Sequence, residues 1–455
     1  ARAALAEAAR GASPDAAWPI ARHRGIIAES EGSLDEAEGW YREAVTIIER
    51  MRASSAPNEV RAPFFEKRWE PFELLFELQL ERGNARDAFA TFAQAHGRMF
   101  LDTFAVSLAD ARSASPDPVQ GAIHRVDVLE QMIPLLARSR LGGRPSPESI
   151  LAALRDRHVQ HLLAYFAGAG RMRLLSVMGG EPRITSVDIE LERLDRLIDD
   201  FRARPDDGAA AAALGAALLP PDALPATPGR LHVVPTGPLM RVAFAALEVG
   251  GERLVERHEI AYLPSVTGLA AMADERGESA GPGVVIADSR SDLRSAAREL
   301  DAVVARTGAT PRTGAEATPE AFRAAATAPL LHVISHSGLD RRGGYLLLGD
   351  RKVTAAEILD WRIRPHLAVL PTCASAATVR SEMWDSLAAA FLAAGSAHVV
   401  ATLASVEDQV AADFTLLFYL HGGLRDPVGA TARAQREMAR THRVAAWSAF
   451  VAAGL

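Results

Sequence analysis

The sequence predicts an α/β protein with a mainly parallel sheet flanked by helices, preceded by an all-α segment. Three observations carry this expectation. Residues 1–138 read as helix after helix, rich in Ala, Glu, Arg and Leu, without a convincing strand. From 148 onward, short apolar runs alternate with amphipathic helical stretches, which is the pattern of parallel strands covered on both faces. Between the two regions, Leu141-Gly-Gly-Arg-Pro-Ser-Pro147 has the turn-rich composition of a boundary. At 455 residues the chain exceeds what one hydrophobic core usually supports, so two or three domains are expected.

In the helical region, Gly25, Gly32-Ser-Leu-Asp-Glu-Ala37, Tyr41 and Ala44 match the glycine, alanine and aromatic positions of a tetratricopeptide unit. Small residues there let two helices approach closely, with Tyr41 filling the gap between them. A partial second copy runs from Gly83 through Ala88, Phe92 and Ala95. The separation of Gly32 and Gly83 exceeds the usual period of about 34 residues, so the array is irregular or carries a longer helix. A plain helical bundle is the alternative.

In the α/β region the expected strands are 173–177, 183–187, 231–234, 259–262, 283–287, 330–334, 367–370 and 397–403. Helices are expected at 188–204, 295–307, 386–394, 408–420 and 428–440. The loop from Asp274 to Pro282 divides the region into halves at 148–274 and 283–455.

Two apolar runs of the second half end in chemistry. Leu330-Leu-His-Val-Ile-Ser-His336-Ser-Gly338 delivers a histidine, and His366-Leu-Ala-Val-Leu-Pro-Thr delivers Cys373, the one cysteine of the sequence. Each side chain falls at the carboxyl mouth of a buried strand, where open α/β sheets place ligands. A thiol and an imidazole presented side by side form a nucleophile and its general base, which points to a cysteine hydrolase. The opposing reading is a buried structural cysteine. His332, inside its apolar run, reads as a hydrogen-bonded core residue.

Composition excludes several classes. With 50 Lys and Arg against 57 Asp and Glu and no long basic block, nucleic acid is not the expected partner. One cysteine permits neither an intramolecular disulfide nor a cysteine-based zinc site, which suits a reducing, cytoplasmic setting. No apolar run has the roughly 20 residues that span a bilayer, so direct membrane insertion is not expected. No phosphate-binding glycine motif follows a strand and no His-Glu-x-x-His occurs, so neither cofactor nor metal is expected. The sequence begins with Ala1 and not Met, which leaves the true N-terminus open.

In their order and spacing, Leu231-His-Val-Val-Pro-Thr-Gly-Pro-Leu-Met-Arg-Val-Ala-Phe-Ala-Ala-Leu247, Ile260–Ser265, Ala287-Asp-Ser-Arg-Ser-Asp-Leu293 with Glu299, Leu331–His336, Ala368–Cys373, Ala390–Leu403 and Trp447–Gly454 resemble the CHAT domain. This caspase-like domain is often found beside tetratricopeptide repeats. The resemblance implies a degenerate pseudo-caspase half at 148–274 and a working caspase half at 283–455, in the manner of separase. It implies a cysteine endopeptidase with His336 and Cys373 as the catalytic dyad. Its protein substrate, for example a gasdermin-like pore former, would belong to a bacterial defence or cell-death pathway. The oxyanion-hole amides would be those of Cys373 and of the residue after His336. Here the family's His-Gly is replaced, with Ser337 in the first place and Gly338 in the second. Asp408 and Asp385 are the candidate S1 acids, and each is alternatively the N-cap of the helix that follows it. The family's usual Trp is Ala404. The helical region would hold the substrate or an activator and bias the loops at Asp340–Gly344 and Val379–Trp384. A non-catalytic scaffold of the same fold is the competing expectation.

Overall fold

The computed structural model describes residues 2–8, 10, 12–54, 68–95, 146–168, 171–266, 282–340, 343–377 and 386–454. Two compact units are present, Ala1–Ala152 with Pro182–Ile184, and Ala153–Glu181 with Thr185–Leu455.

The first unit is helical. Pro14–Ser30 and Leu34–Ser54 pack against each other across a turn at Gly32, and Glu70–Glu81 lies against the second of them. Close approach explains Gly25: a Cβ there would lie 2.3 Å from Cε1 of Tyr41. Tyr41 is fully buried, and its hydroxyl donates to Glu29 Oε2 at 2.5 Å. Ala28, Ala37, Val45, Ile48, Phe72, Leu75 and Leu78 complete this core around it. Residues 85–95 are helical too, burying Ala88, Phe92 and Ala95. The remainder of the expected helical run, 96–145, lies outside the described residues.

The second unit is organised around a large mixed sheet. In chain order the strands are β1 (His161–Gly168), β2 (Arg171–Met178), β3 (Glu181–Glu190), β4 (Gly229–Val234), β5 (Glu248–Val249), β6 (Glu252–Arg253), β7 (His258–Tyr262), β8 (Val284–Ala287), β9 (Thr310–Thr313), β10 (Leu330–Ile334), β11 (Ser337–Asp340), β12 (Gly343–Leu348), β13 (Arg351–Thr354), β14 (Leu367–Val369), β15 (His398–Thr402) and β16 (Phe450–Gly454). Eleven of them form one sheet in the order β3-β2-β1-β4-β7-β16-β15-β14-β10-β8-β9. Neighbours from β1 to β16 pair parallel, as do those from β15 to β9, and the two blocks meet at the antiparallel β16–β15 pair. The last strand therefore joins the two halves of the α/β region into a single sheet. Most of the loop expected to divide them, Asp274 to Gly281, lies outside the described residues.

Strands β10, β14 and β15 are almost wholly buried, as continuous apolar runs require when helices cover both faces. Their neighbouring helices begin and end on local signals. The Ser386 hydroxyl accepts from the Ala389 amide and opens the helix Leu387–Ala394, which Gly395 closes at φ 115°. Thr354 and Glu357 form a reciprocal capping box at Ala355–Asp360.

Several features depart from the expected elements. β1 was not anticipated, the segment from Ser337 to Thr354 forms a separate three-stranded antiparallel sheet, and the chain ends in β16. The expected active-site loop Asp340–Gly344 thus falls at the β11–β12 connection, with Arg341 and Arg342 outside the described residues.

Candidate active site

Parallel strands β8, β10, β14 and β15 are consecutive neighbours in the sheet, so their carboxyl ends line one edge in that order. Four chain segments emerge there: Asp288–Leu293 after β8, His336 after β10, Cys373 after β14, and Ser405–Asp408 after β15. The β10–β14 register pairs Leu330 with Leu367 and His332 with Val369, which brings the ends of the strands that lead to His336 and Cys373 side by side. The contact is made by the next residue: Ser337 Oγ donates to the Cys373 carbonyl at 2.5 Å.

Cys373 sits in a turn fixed from below. Ser375, 1% exposed, donates its hydroxyl to the Leu370 carbonyl at 2.7 Å and accepts from the Thr402 amide at 3.0 Å. Thr402 Oγ1 in turn donates to the Thr372 carbonyl at 2.5 Å. Ala374, immediately after the cysteine, takes φ 53°, a left-handed conformation that costs an L-residue roughly 1 kcal/mol or more. The turn is held by the Ala374 amide donating to Ala404 O at 3.2 Å and the Ala376 amide donating to Thr402 O at 2.8 Å. Such a turn projects the thiol, which is partly exposed. Its Sγ–H donates to the Val406 carbonyl at 3.7 Å and is not hydrogen-bonded to His336.

The His336 side chain is 46% exposed, with Nε2 2.9 Å from Asp292 Oδ1. Hydrogen bonding to His336 is the first cause that holds the Asp292 carboxyl below the usual carboxylate range, with a smaller contribution from Arg290. An ionised carboxylate only accepts, so Nε2 carries the proton. Nδ1 has no hydrogen-bond partner among the described residues.

The amides expected to form the oxyanion hole are those of Cys373 and of the residues after His336. The Cys373 N–H has no acceptor among the described residues. Leu347 N–H donates to the His336 carbonyl at 2.8 Å, and antiparallel alternation from that bond directs the Gly338 amide at β12 and the Ser337 amide away from it. A Cβ on Gly338 would lie 2.7 Å from the Tyr345 hydroxyl, so that position is tight on its other side as well.

Of the two S1 candidates, Asp408 is the first residue of the helix Asp408–Leu420, whose N-cap is Glu407. Asp408 is partly exposed and makes no side-chain hydrogen bond or ion pair among the described residues. Asp385 and the loop Val379–Trp384 lie outside the described residues.

His332 is fully buried. Its Nε2 lies 2.9 Å from Glu299 Oε1 and its Nδ1 lies 2.9 Å from the Tyr419 hydroxyl, while Thr415 Oγ1 donates to Glu299 Oε1 at 2.8 Å. This network ties β10 to the helices Ala296–Thr307 and Asp408–Leu420, which flank the same sheet edge. Sequence reasoning gave Asp292 no role, although it lies in a motif quoted for the resemblance. Its one visible signal is an acid shortly after the first strand of the second half.

Among known structures, two crystal structures of the Saccharomyces cerevisiae separase–securin complex are similar to this chain, each with a TM-score of 0.53. Identity is 11% and 10%, over 93% of this chain and 37% of the matched chain, so the likeness is one of fold. No curated protein matches the chain in sequence. Among the described residues, no helix is long and apolar enough to cross a membrane. Residues 208–455, more than half of the chain and all of the sheet edge described above, match the family profile of the CHAT domain. With that match and a separase-like, caspase-type fold behind it, the chain belongs to the CHAT-domain family.

Proposed function

We propose that this chain is a cysteine endopeptidase of the caspase and separase type, with Cys373 as nucleophile and His336 as general base. One observation carries the reading: the register of β10 and β14 sets both strand ends side by side at one open edge of the sheet. His336 accepts the thiol proton at Nδ1 as sulfur attacks the scissile carbonyl. It returns that proton to the leaving amine, and water then hydrolyses the thioester. The anionic oxygen formed on the way is received by the Cys373 and Ser337 amides, an interaction of roughly 3 kcal/mol in comparable sites. Asp408, unpaired two residues beyond the carbonyl that holds Sγ, is suited to receive a basic P1 side chain.

In this reading 283–455 is the catalytic half, 148–274 the degenerate half, and the TPR-like helices within 1–138 a docking surface for the substrate or an activator. The substrate is a protein in a bacterial defence or cell-death pathway, with a gasdermin-like pore former as the leading candidate. Family membership supports that class of role, and the absence of a long basic block suits a protein partner over nucleic acid.

A substrate screen by proteomics of new N-termini tests the reading. Cleavage is expected from the wild-type chain and lost in Cys373→Ala and His336→Ala with the fold retained. Cleavage that survives Cys373→Ala overturns it. A shifted P1 profile in Asp408→Ala supports the S1 assignment, and an unchanged profile removes it. The engagement of Sγ by the Val406 carbonyl favours a second reading, a non-catalytic CHAT scaffold that docks partners. That reading predicts partner binding without any cleavage.

A further inference from the structure

Several polar and apolar features lie outside the dyad. The buried His332–Glu299–Tyr419 network has no opening to solvent. The Arg230–Glu259–Asp426–Arg433 ion cluster closes on itself. Leu420 and Leu424 form an exposed apolar spot with nothing to show what covers it. The contact that reaches furthest is the carboxylate on His336.

We propose that Asp292 is the positioning residue of the site, a third member that orients the His336 imidazole and stabilises its protonated form. This rests on the dyad proposed above. The geometry is built and not incidental. Asp288 donates its amide to the Ile334 carbonyl at 2.7 Å, which fastens the loop after β8 to the end of β10, two residues before His336. The Asp288 carboxylate then accepts from the amides of Asp292 at 3.0 Å and Leu293 at 3.2 Å, folding the loop back upon itself. Asp288 and Ser291 both pay for this with left-handed backbone, at φ 45° and 55°. Arg290 steadies the free oxygen of Asp292 at 3.2 Å while also reaching Asp350 at 3.2 Å.

The consequence is chemical. With Nε2–H donated to Asp292, the lone pair is on Nδ1, the nitrogen left without a partner. When Nδ1 takes the thiol proton, the imidazolium lies against a carboxylate that keeps its charge and receives no proton. The logic is that of the aspartate in serine hydrolases. The loop that carries Asp292 also holds Asp288 and Arg290, and the elements that follow His336 hold the Lys352–Asp340 pair and, at the β12–β13 turn, Asp350, which pairs with Arg290. Among the described residues, Asp292 is the one that touches the ring.

Because Cys373 is the one cysteine in the sequence, its alkylation by iodoacetamide can be read from intact mass without interference. Rates are measured from pH 5 to 10 for the wild-type chain, Asp292→Asn, Asp292→Ala and His336→Ala, with circular dichroism to verify folding. Removing the charge depopulates the thiolate–imidazolium pair, so the midpoint of the alkylation profile should move up by about one pH unit in both Asp292 variants, toward the value of about 8.5 for a free cysteine. The rate at pH 7 should fall about tenfold, and a charge-based effect should weaken as salt is raised. A wild-type profile in folded Asp292→Asn and Asp292→Ala, alongside a shifted profile in His336→Ala, overturns the proposal and leaves the dyad intact. An unshifted profile in His336→Ala removes the dyad itself, and this proposal with it.

Discussion

Replacing His332 by leucine tests whether the buried network beneath the site stabilises the sheet edge. His332 is fully buried and Glu299 is 3% exposed, so removing the imidazole cannot be compensated by water without opening the fold. Two contacts of 2.9 Å are lost. Glu299 keeps the Thr415 hydroxyl, and Tyr419 loses its partner at that nitrogen. Leaving a buried polar group unsatisfied costs about 1–3 kcal/mol, so two such losses, less the apolar gain of leucine, predict a net destabilisation of about 3 kcal/mol. Adding Tyr419→Phe removes the hydroxyl that lost its partner on His332. The double variant should therefore recover about 1 kcal/mol relative to simple additivity. Two compact units make a global unfolding midpoint a mixture, so the suitable assay is native-state hydrogen exchange at the amides of β10. Loss of protection by less than about 1 kcal/mol, or strict additivity of the two substitutions, would refute the reasoning.

Other expectations follow from the same edge of the sheet. Ser375→Ala leaves the Leu370 carbonyl and Thr402 amide without their shared hydroxyl, and should cost about 2 kcal/mol while slowing alkylation of Cys373. Unchanged stability and reactivity would separate that hydroxyl from the cysteine turn. His232, buried in β4, is pushed down to about 4, first by desolvation and then by the Arg230 charge. An unfolded histidine titrates near 6.5, so between pH 6.5 and 4 the unfolded chain takes up a proton that the fold refuses. Stability is therefore lost as the solution is acidified through that window, by at most about 3 kcal/mol from this residue. His232→Gln should flatten the pH dependence, between pH 7 and 4.5, of the opening free energy read by native-state hydrogen exchange at the β4 amides, and an equally steep loss would contradict the assignment.

How much of this was legible in the sequence depended on range. Strand β10 and the helix Asp408–Leu420 stand where their apolar pattern put them, because a continuous buried run and a 3.6-residue period are local signals. Gly25 and Tyr41 were likewise readable, since a missing Cβ opposite a buried ring is a pairing within one helical hairpin. Strand β16 was not. Phe450-Val-Ala-Ala-Gly454 has weak intrinsic preference for a strand and becomes one by lying between β15 and β7. Asp340 to Gly344 carried glycines and charges that read as loop, and cross-strand pairing makes its described residues part of a small sheet. At the site, His336 and Cys373 could be singled out because each ends its own apolar run. Asp292 could not, because its distance from His336 is closed by the adjacency of β8 and β10, and strand order is a property of the whole sheet.

Labelling of the wild-type chain with an irreversible peptidyl electrophile, read by intact-protein mass, measures directly whether this edge works as a nucleophilic site. A single adduct is expected on Cys373 at neutral pH, none in Cys373→Ala, and at least a tenfold slower reaction in folded His336→Ala. Equal labelling rates with and without the imidazole would contradict it.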